Sequence, residues 1–156
     1  MAQALLVIDL QEGYIEKYPS LLLACVNERI QRATADEELI VYVKNTKRLR
    51  GGRKTNELAE KLNIYSKYII CKETAGAFSN PELQEILKQN QITEIEIAGI
   101  DGNSCIASTA IDSVQNGYKT ILQEEYIGVQ NVKQFEKTKV SLLEKGIIIK
   151  QKNSGL

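Results

Sequence analysis

Residues 94–117 read EIEIAGIDGNSCIASTAIDSVQNG. The first seven alternate and then run apolar, the pattern of a strand. From Ser104 onward, small and apolar residues recur at helical spacing. Gly117 supplies the residue at which a helix naturally ends. Between the two lies a short polar segment with a glycine, the composition of a tight turn. A strand therefore passes into a helix, and Cys105 sits at the joint. A helix start favours a thiolate through its macrodipole and free N–H groups, and a nearby lysine would lower the thiol pKa further. A cysteine at this place can also simply pack.

The same alternation extends in both directions. ALLVIDL (4–10) is a short apolar run, as in a strand buried on both faces. Residues 19–33 follow at helical spacing, opened by Pro19 or Ser20. LIVYVK (39–44) reads as a strand, TNELAEKLN (55–63) as a short helix and YIICK (68–72) as a strand. In SNPELQEILKQN (79–90), Asn80 caps a helix and Pro81 takes its first position. After the quoted stretch come a strand (119–123), a helix (131–146) and a last strand (147–150). Strands and helices that alternate over short connections predict an α/β fold, with a six-stranded parallel sheet covered on both faces. The expectation is one domain over 1–156.

Composition narrows the function. The chain has 156 residues, 43% hydrophobic and 26% charged, enough to bury a core without staples. Twenty cations balance twenty anions, which argues against a nucleic-acid binder or a membrane-surface protein. No apolar run approaches the roughly 20 residues that cross a bilayer. The three cysteines show no paired spacing, and no signal-like segment opens the chain, so free thiols in the cytoplasm are expected. Cys25 and Cys71 read as small core residues. There is no histidine, so the commonest general base and metal ligand are missing. No metal and no cofactor are expected, and the partner is a small molecule.

Open parallel sheets bind ligands beyond the carboxyl ends of their strands. There the sequence places Asp9, Lys72 and Cys105. Asp9 in an apolar strand either ties down a loop or acts chemically, since an unpaired buried charge is costly. Lys72 alone reads as an exposed strand end. Together the three make chemical sense: a thiol nucleophile, a carboxylate base and an ammonium that balances charge. The connection KNTKRLRGGRK (44–54) is long and strongly basic. It is either a solvated loop or a lid for an anionic substrate.

Three blocks resemble the isochorismatase-like cysteine hydrolases. ALLVIDLQEGYI (4–15) resembles that family's first signature. CKETAGAFSNPEL (71–83) is similar to its second, and IAGIDGNSCIASTAIDSVQNGYKTIL (97–122) to its third. They occur in family order. The resemblance implies a three-layer α/β/α, Rossmann-like sandwich. It also implies Asp9 as general base, Lys72 as the orienting cation and Cys105 as the nucleophile. The oxyanion hole would be the N–H groups of Asp101 and Cys105, with a cis peptide at Ile100–Asp101. Tyr14 and Phe78 would contact substrate, Arg50 and Arg53 would do so under the separate lid reading of the basic connection, and a homo-oligomer is the family expectation. The implied reaction is hydrolysis of a small amide through a thioester. A silent or regulatory member that only binds small molecules, and a plain ligand binder in which Cys105 packs, remain open alternatives. Two departures stand out. Nicotinamidase-type members bind a metal through an Asp and histidines after the second strand, where this chain has Asn45 and no histidine. The segment QEEYIGV (123–129) lacks the family's small Asp-Ala pair.

Overall fold

The computed structural model describes residues 2–46 and 57–151. In chain order the main elements are β1 (Ala2–Ile8), α1 (Leu21–Ala35), β2 (Leu39–Asn45), β3 (Ile69–Lys72), α2 (Pro81–Gln89), β4 (Ile92–Ile100), α3 (Cys105–Gln115), β5 (Lys119–Gly128), α4 (Val132–Glu144) and β6 (Ile148–Lys150). Two short 3-10 turns, Ile15–Lys17 and Ala77–Ser79, interrupt the connections. The six strands pair in parallel in the order β3-β2-β1-β4-β5-β6.

β1 shows how the residues build the layers. Residues 4–8 are all fully buried. Successive side chains of a strand point to opposite faces. Ala4, Leu6 and Ile8 accordingly join a core with residues of α2, α3 and α4. Leu5 and Val7 join a second core with Leu22, Val26 and Ile30 of α1. The result is an α/β/α sandwich, one long helix against three. Each fully buried Leu or Ile contributes about 1.5–3 kcal/mol. None of the described helices is long and apolar enough to cross a membrane.

The chain starts at the sheet's centre, winds out through β2 to β3, and returns beside β1 as β4 before winding the other way. The switch point therefore lies between the carboxyl ends of β1 and β4, where such sheets open a crevice.

Three expectations need correction. Residues 57–63, within the expected helix 55–63, form no helix. Leu58 bridges Gln11, Ala59 N–H donates to Leu10 O, and Ala59 and Leu62 pack on the second core. Their apolar spacing mimics a helix, but the loop after β1 takes their backbone partners. Cys71 is exposed, not core. β3 is an edge strand that alternates outward Ile69 and Cys71 with inward Ile70 and Lys72. β5 runs five residues past the expected end. Its pairing with β4 shifts register between Ile97 and Gly99, then resumes at Gly99–Ile127 and Ile100–Gly128. The polar pair Glu124-Glu125 hides this continuation in the sequence.

α2 begins as read: Pro81 is its first residue and the Asn80 side chain accepts from Glu82 N–H. Elsewhere, Arg29 of α1 is buried against Glu96 of β4 and Glu38, at 2.9 and 2.8 Å. Such a network costs several kcal/mol if one partner is removed.

Candidate active site

Asp9 follows β1 with φ 57, in the left-handed region that Asp tolerates better than most residues. Its N–H still donates to Val43 O, so the sheet fixes its position. Lys72 ends β3 with its side chain wholly buried, not exposed as it reads in isolation. Cys105 is the first residue of α3 and is half-buried.

These three side chains meet. Lys72 Nζ lies 3.2 Å from Asp9 Oδ2, 3.3 Å from Cys105 Sγ and 3.1 Å from Thr74 O. An ammonium has three donors, and all three are engaged. Asp9 Oδ1 is buried without a well-formed hydrogen bond among the described residues. Burial pushes the Asp9 carboxyl up, against the pull of Lys72 and of the Cys105 thiol. The Cys105 thiol is also pushed up, first by burial and then by the Asp9 charge; Lys72 only partly offsets this. The expectation of a lowered thiol pKa at the helix start is therefore corrected. Burial therefore favours the protonated form of both the thiol and the carboxyl beside it.

Gly99, at the end of β4, has φ +122, and a Cβ there would lie 2.1 Å from Ile8 O. Only glycine lets β4 press this closely on β1. The Ile100–Asp101 peptide is cis. The Asp101 carboxylate then organises the turn: Oδ1 accepts from Tyr18 OH and Gln130 N–H, each at 3.0 Å, and Oδ2 accepts from Asn103 N–H at 2.9 Å. Gly102 N–H donates to Gly128 O, and Ser104 and Ile106 N–H donate to Asp101 O. The N–H groups of Asp101 and Cys105 are the two in this turn that these bonds do not consume.

Beside Cys105 the described residues line an open cavity of about 160 Å³. Tyr14, Lys17, Tyr18, Ser104 and Gln130 line it, together with Asp9, Asp101 and Cys105. A larger cavity of about 580 Å³ lies at the opposite end of the sheet, beside the starts of β1 and β2 and residues 36–38. Chemistry, not size, selects the former, because it brings the Cys105 thiol beside the Asp9 carboxylate.

Tyr14 is thus in the cavity wall. Phe78 is not: its ring packs against Tyr118 at 6.1 Å and borders a separate cleft with Gly76, Ser108 and Asp112. Arg50 and Arg53 lie outside the described residues, as does most of the basic connection. Sequence reasoning missed Lys17, Tyr18, Ser104 and Gln130. Tyr18 and Lys17 follow the first motif closely enough to have been suspected. Gln130 arrives through the unforeseen end of β5. Gln11, buried near Asp9, accepts from Asn45 N–H through Oε1 and donates to Asn45 O through Nε2, tying β1's exit to β2's end.

The isochorismatase domain family profile matches residues 3–146. Streptothricin hydrolase of Streptomyces noursei is 22% identical over 79% of this chain and 53% of its own length. Maleamate amidohydrolase of Pseudomonas putida is 30% identical over 38% of this chain and 28% of its own. The chain thus spans about half or less of the curated relatives it matches. Among solved structures, the pyrazinamidase of Pyrococcus horikoshii in complex with zinc superposes with a TM-score of 0.85, at 22% identity, over 97% of this chain and all of that one. The N-carbamoylsarcosine amidase of Thermoplasma acidophilum gives 0.83, at 18% identity, over 99% and all.

A histidine-held zinc does not fit this chain. It has no histidine, and the backbone of Asn45, at the end of β2, is engaged by Gln11. No group of three or more acidic or thiol side chains converges among the described residues. Profile, topology and fold superposition agree: the chain belongs to the isochorismatase family.

Proposed function

We propose that this protein is a cysteine-dependent hydrolase that cleaves the C–N bond of a small amide through a thioester on Cys105. The observation that carries the reading is the meeting of Lys72 with Asp9 and Cys105 beside a turn whose Asp101 and Cys105 N–H groups have no hydrogen bond among the described residues. The relatives named as an amidohydrolase and an amidase support the same bond type.

Asp9 takes the thiol proton as sulfur bonds to the carbonyl carbon. The carbonyl electron pair moves to oxygen, which the N–H groups of Asp101 and Cys105 receive. Such donors are worth about 3–4 kcal/mol in related chemistry. Asp9 returns the proton to nitrogen, the C–N bond breaks and the amine or ammonia leaves. Asp9 then deprotonates a water that attacks the thioester, and the sulfur departs with its proton restored. Lys72 keeps carboxylate and sulfur in register through both halves. Attack from the protonated thiol is coherent because burial raises the proton affinity of Asp9: proton transfer to the carboxylate accompanies bond formation. A reducing setting suits the reading, since Cys105 must remain a free thiol.

Ammonia release from a panel of small primary amides tests this. Cys105→Ala should lower release at least about 10³-fold with little change in melting temperature. Release that survives the substitution rejects the mechanism. An intact wild type that binds amides without hydrolysing them points to a binding protein instead.

A further inference from the structure

We infer that Thr109 is a positioning residue whose hydroxyl holds Lys72 against Cys105 by pinning the segment 73–77 to α3. The inference rests on the hydrolase reading above and adds a residue to the machinery of that site. It starts from strand order. Two strands, β2 and β1, separate β3, which ends in Lys72, from β4, which leads to Cys105. Three strand spacings set those chain ends roughly 14 Å apart across the sheet. β3 is moreover an edge strand of four residues. The sheet alone therefore leaves the long lysine stem free to choose among partners. Something outside the sheet must fix the 3.3 Å contact between Lys72 Nζ and Cys105 Sγ.

The segment after β3 does this. Lys72 Nζ also donates to Thr74 O at 3.1 Å, so the backbone of that segment holds the ammonium. A little further on, the Ala77 N–H donates to Thr109 Oγ1 at 3.1 Å. Ala77 and Thr109 are both fully buried, and a buried N–H that loses its acceptor is costly. Thr109 follows Cys105 by one helical turn and shares its face of α3. One helix thus carries the nucleophile in its first turn and the clamp on the lysine's loop in its second. The loop lies close along α3: a Cβ on Gly76 would come within 2.6 Å of Asp112 Oδ2 and 4.0 Å of Ser108 Cβ. Of the titratable groups facing Cys105, Asp9 raises its pKa and Lys72 lowers it, while Tyr14, Lys17, Tyr18 and Asp101 line the cavity beside it. Thr109 is not among the described residues of the cavity wall, so its effect passes through the loop and Lys72.

Thr109→Val removes the hydroxyl at nearly constant shape, and Thr109→Ser keeps it. Ser113→Ala is the control: it removes another buried hydroxyl of α3, one bonded instead to Thr120 of β5 at 2.7 Å. Iodoacetamide alkylation of the Cys105 peptide is followed against pH by mass spectrometry, on protein shown by circular dichroism to be folded. With Lys72 loosened, the thiol loses the neighbour that lowers its pKa, and the Thr109→Val profile should move to higher pH. Its kcat on a hydrolysed amide should fall about 10–100-fold, the cost of a group misplaced by about 1 Å, with KM unchanged within about twofold. Thr109→Ser and Ser113→Ala should match the parent in both readouts, although Ser113→Ala melts lower. Should Thr109→Val not fold, Thr109→Ala, which sets no methyl where the oxygen was, is read in its place. A profile equal to the parent's, or a shift that Ser113→Ala reproduces, overturns the positioning role. Failure of the hydrolase reading is separable, because alkylation needs no turnover. A wild type that hydrolyses no amide, yet shows the Thr109-dependent shift, contradicts that reading alone. One that hydrolyses amides, with Thr109→Val unshifted and as fast as the parent, contradicts the positioning role alone.

Discussion

Cys105 holds its proton more tightly than an exposed cysteine, and the causes can be separated. Burial acts first, Asp9 second, and Lys72 works in the opposite direction. In Asp9→Asn the negative charge is gone while Lys72 and the burial remain. One raising influence is lost, so the folded thiol should ionise at lower pH than in the parent. Iodoacetamide alkylation of Cys105 followed against pH should shift to lower pH, while amide hydrolysis falls about 10³-fold for want of a base. An alkylation profile that stays put or moves upward contradicts the proposed coupling. The residues Asp9, Lys72 and Cys105 were legible in the sequence because each ends a strand or begins a helix at the functional rim. The sense of the thiol shift was not. It depends on how deeply three distant segments bury one another, and no local pattern encodes that. Lys17 was equally hidden, because a lysine in a short turn carries no signal until the cavity beside it is formed.

At the scale of elements, the turn from β4 to α3 depends on close backbone contact. Gly99 combines a left-handed φ with a Cβ position inside van der Waals reach of the Ile8 backbone, which cannot swing aside as a side chain can. Gly99→Ala should therefore destabilise the fold by at least about 3 kcal/mol. Urea denaturation measures this, and a midpoint equal to the parent's contradicts it. Most elements were visible from periodicity, and the α2 cap could be named from Asn80 and Pro81. The failures share a cause. Residues 57–63 have the apolar spacing of a helix, yet their backbone pairs with the loop after β1. β5 has a polar break, yet its backbone continues beside β4. In both cases tertiary pairing overrode the local pattern. The second miss concealed Gly128 and Gln130, which brace the turn from β4 to α3.

For the whole molecule, the alternation of strands and helices foretold the parallel sheet, and strand order decides where its chemistry lies. β1 and β4 are central neighbours although α1, β2, β3 and α2 all lie between them in the chain. That crossover sets Asp9 and the Asp101–Cys105 turn side by side at the switch point, and β3 reaches in from the edge with Lys72. A site assembled from the ends of three strands is legible only as a set of candidates until the topology closes it. The central claim is that amide cleavage passes through a covalent thioester on Cys105. Intact-mass spectrometry on protein acid-quenched during turnover of a hydrolysed amide measures this directly. The account predicts a species heavier by the acyl group, the mass of substrate less ammonia, located on the Cys105 peptide and absent from Cys105→Ala. Steady ammonia release with Cys105 unmodified, and undiminished in Cys105→Ala, would contradict it.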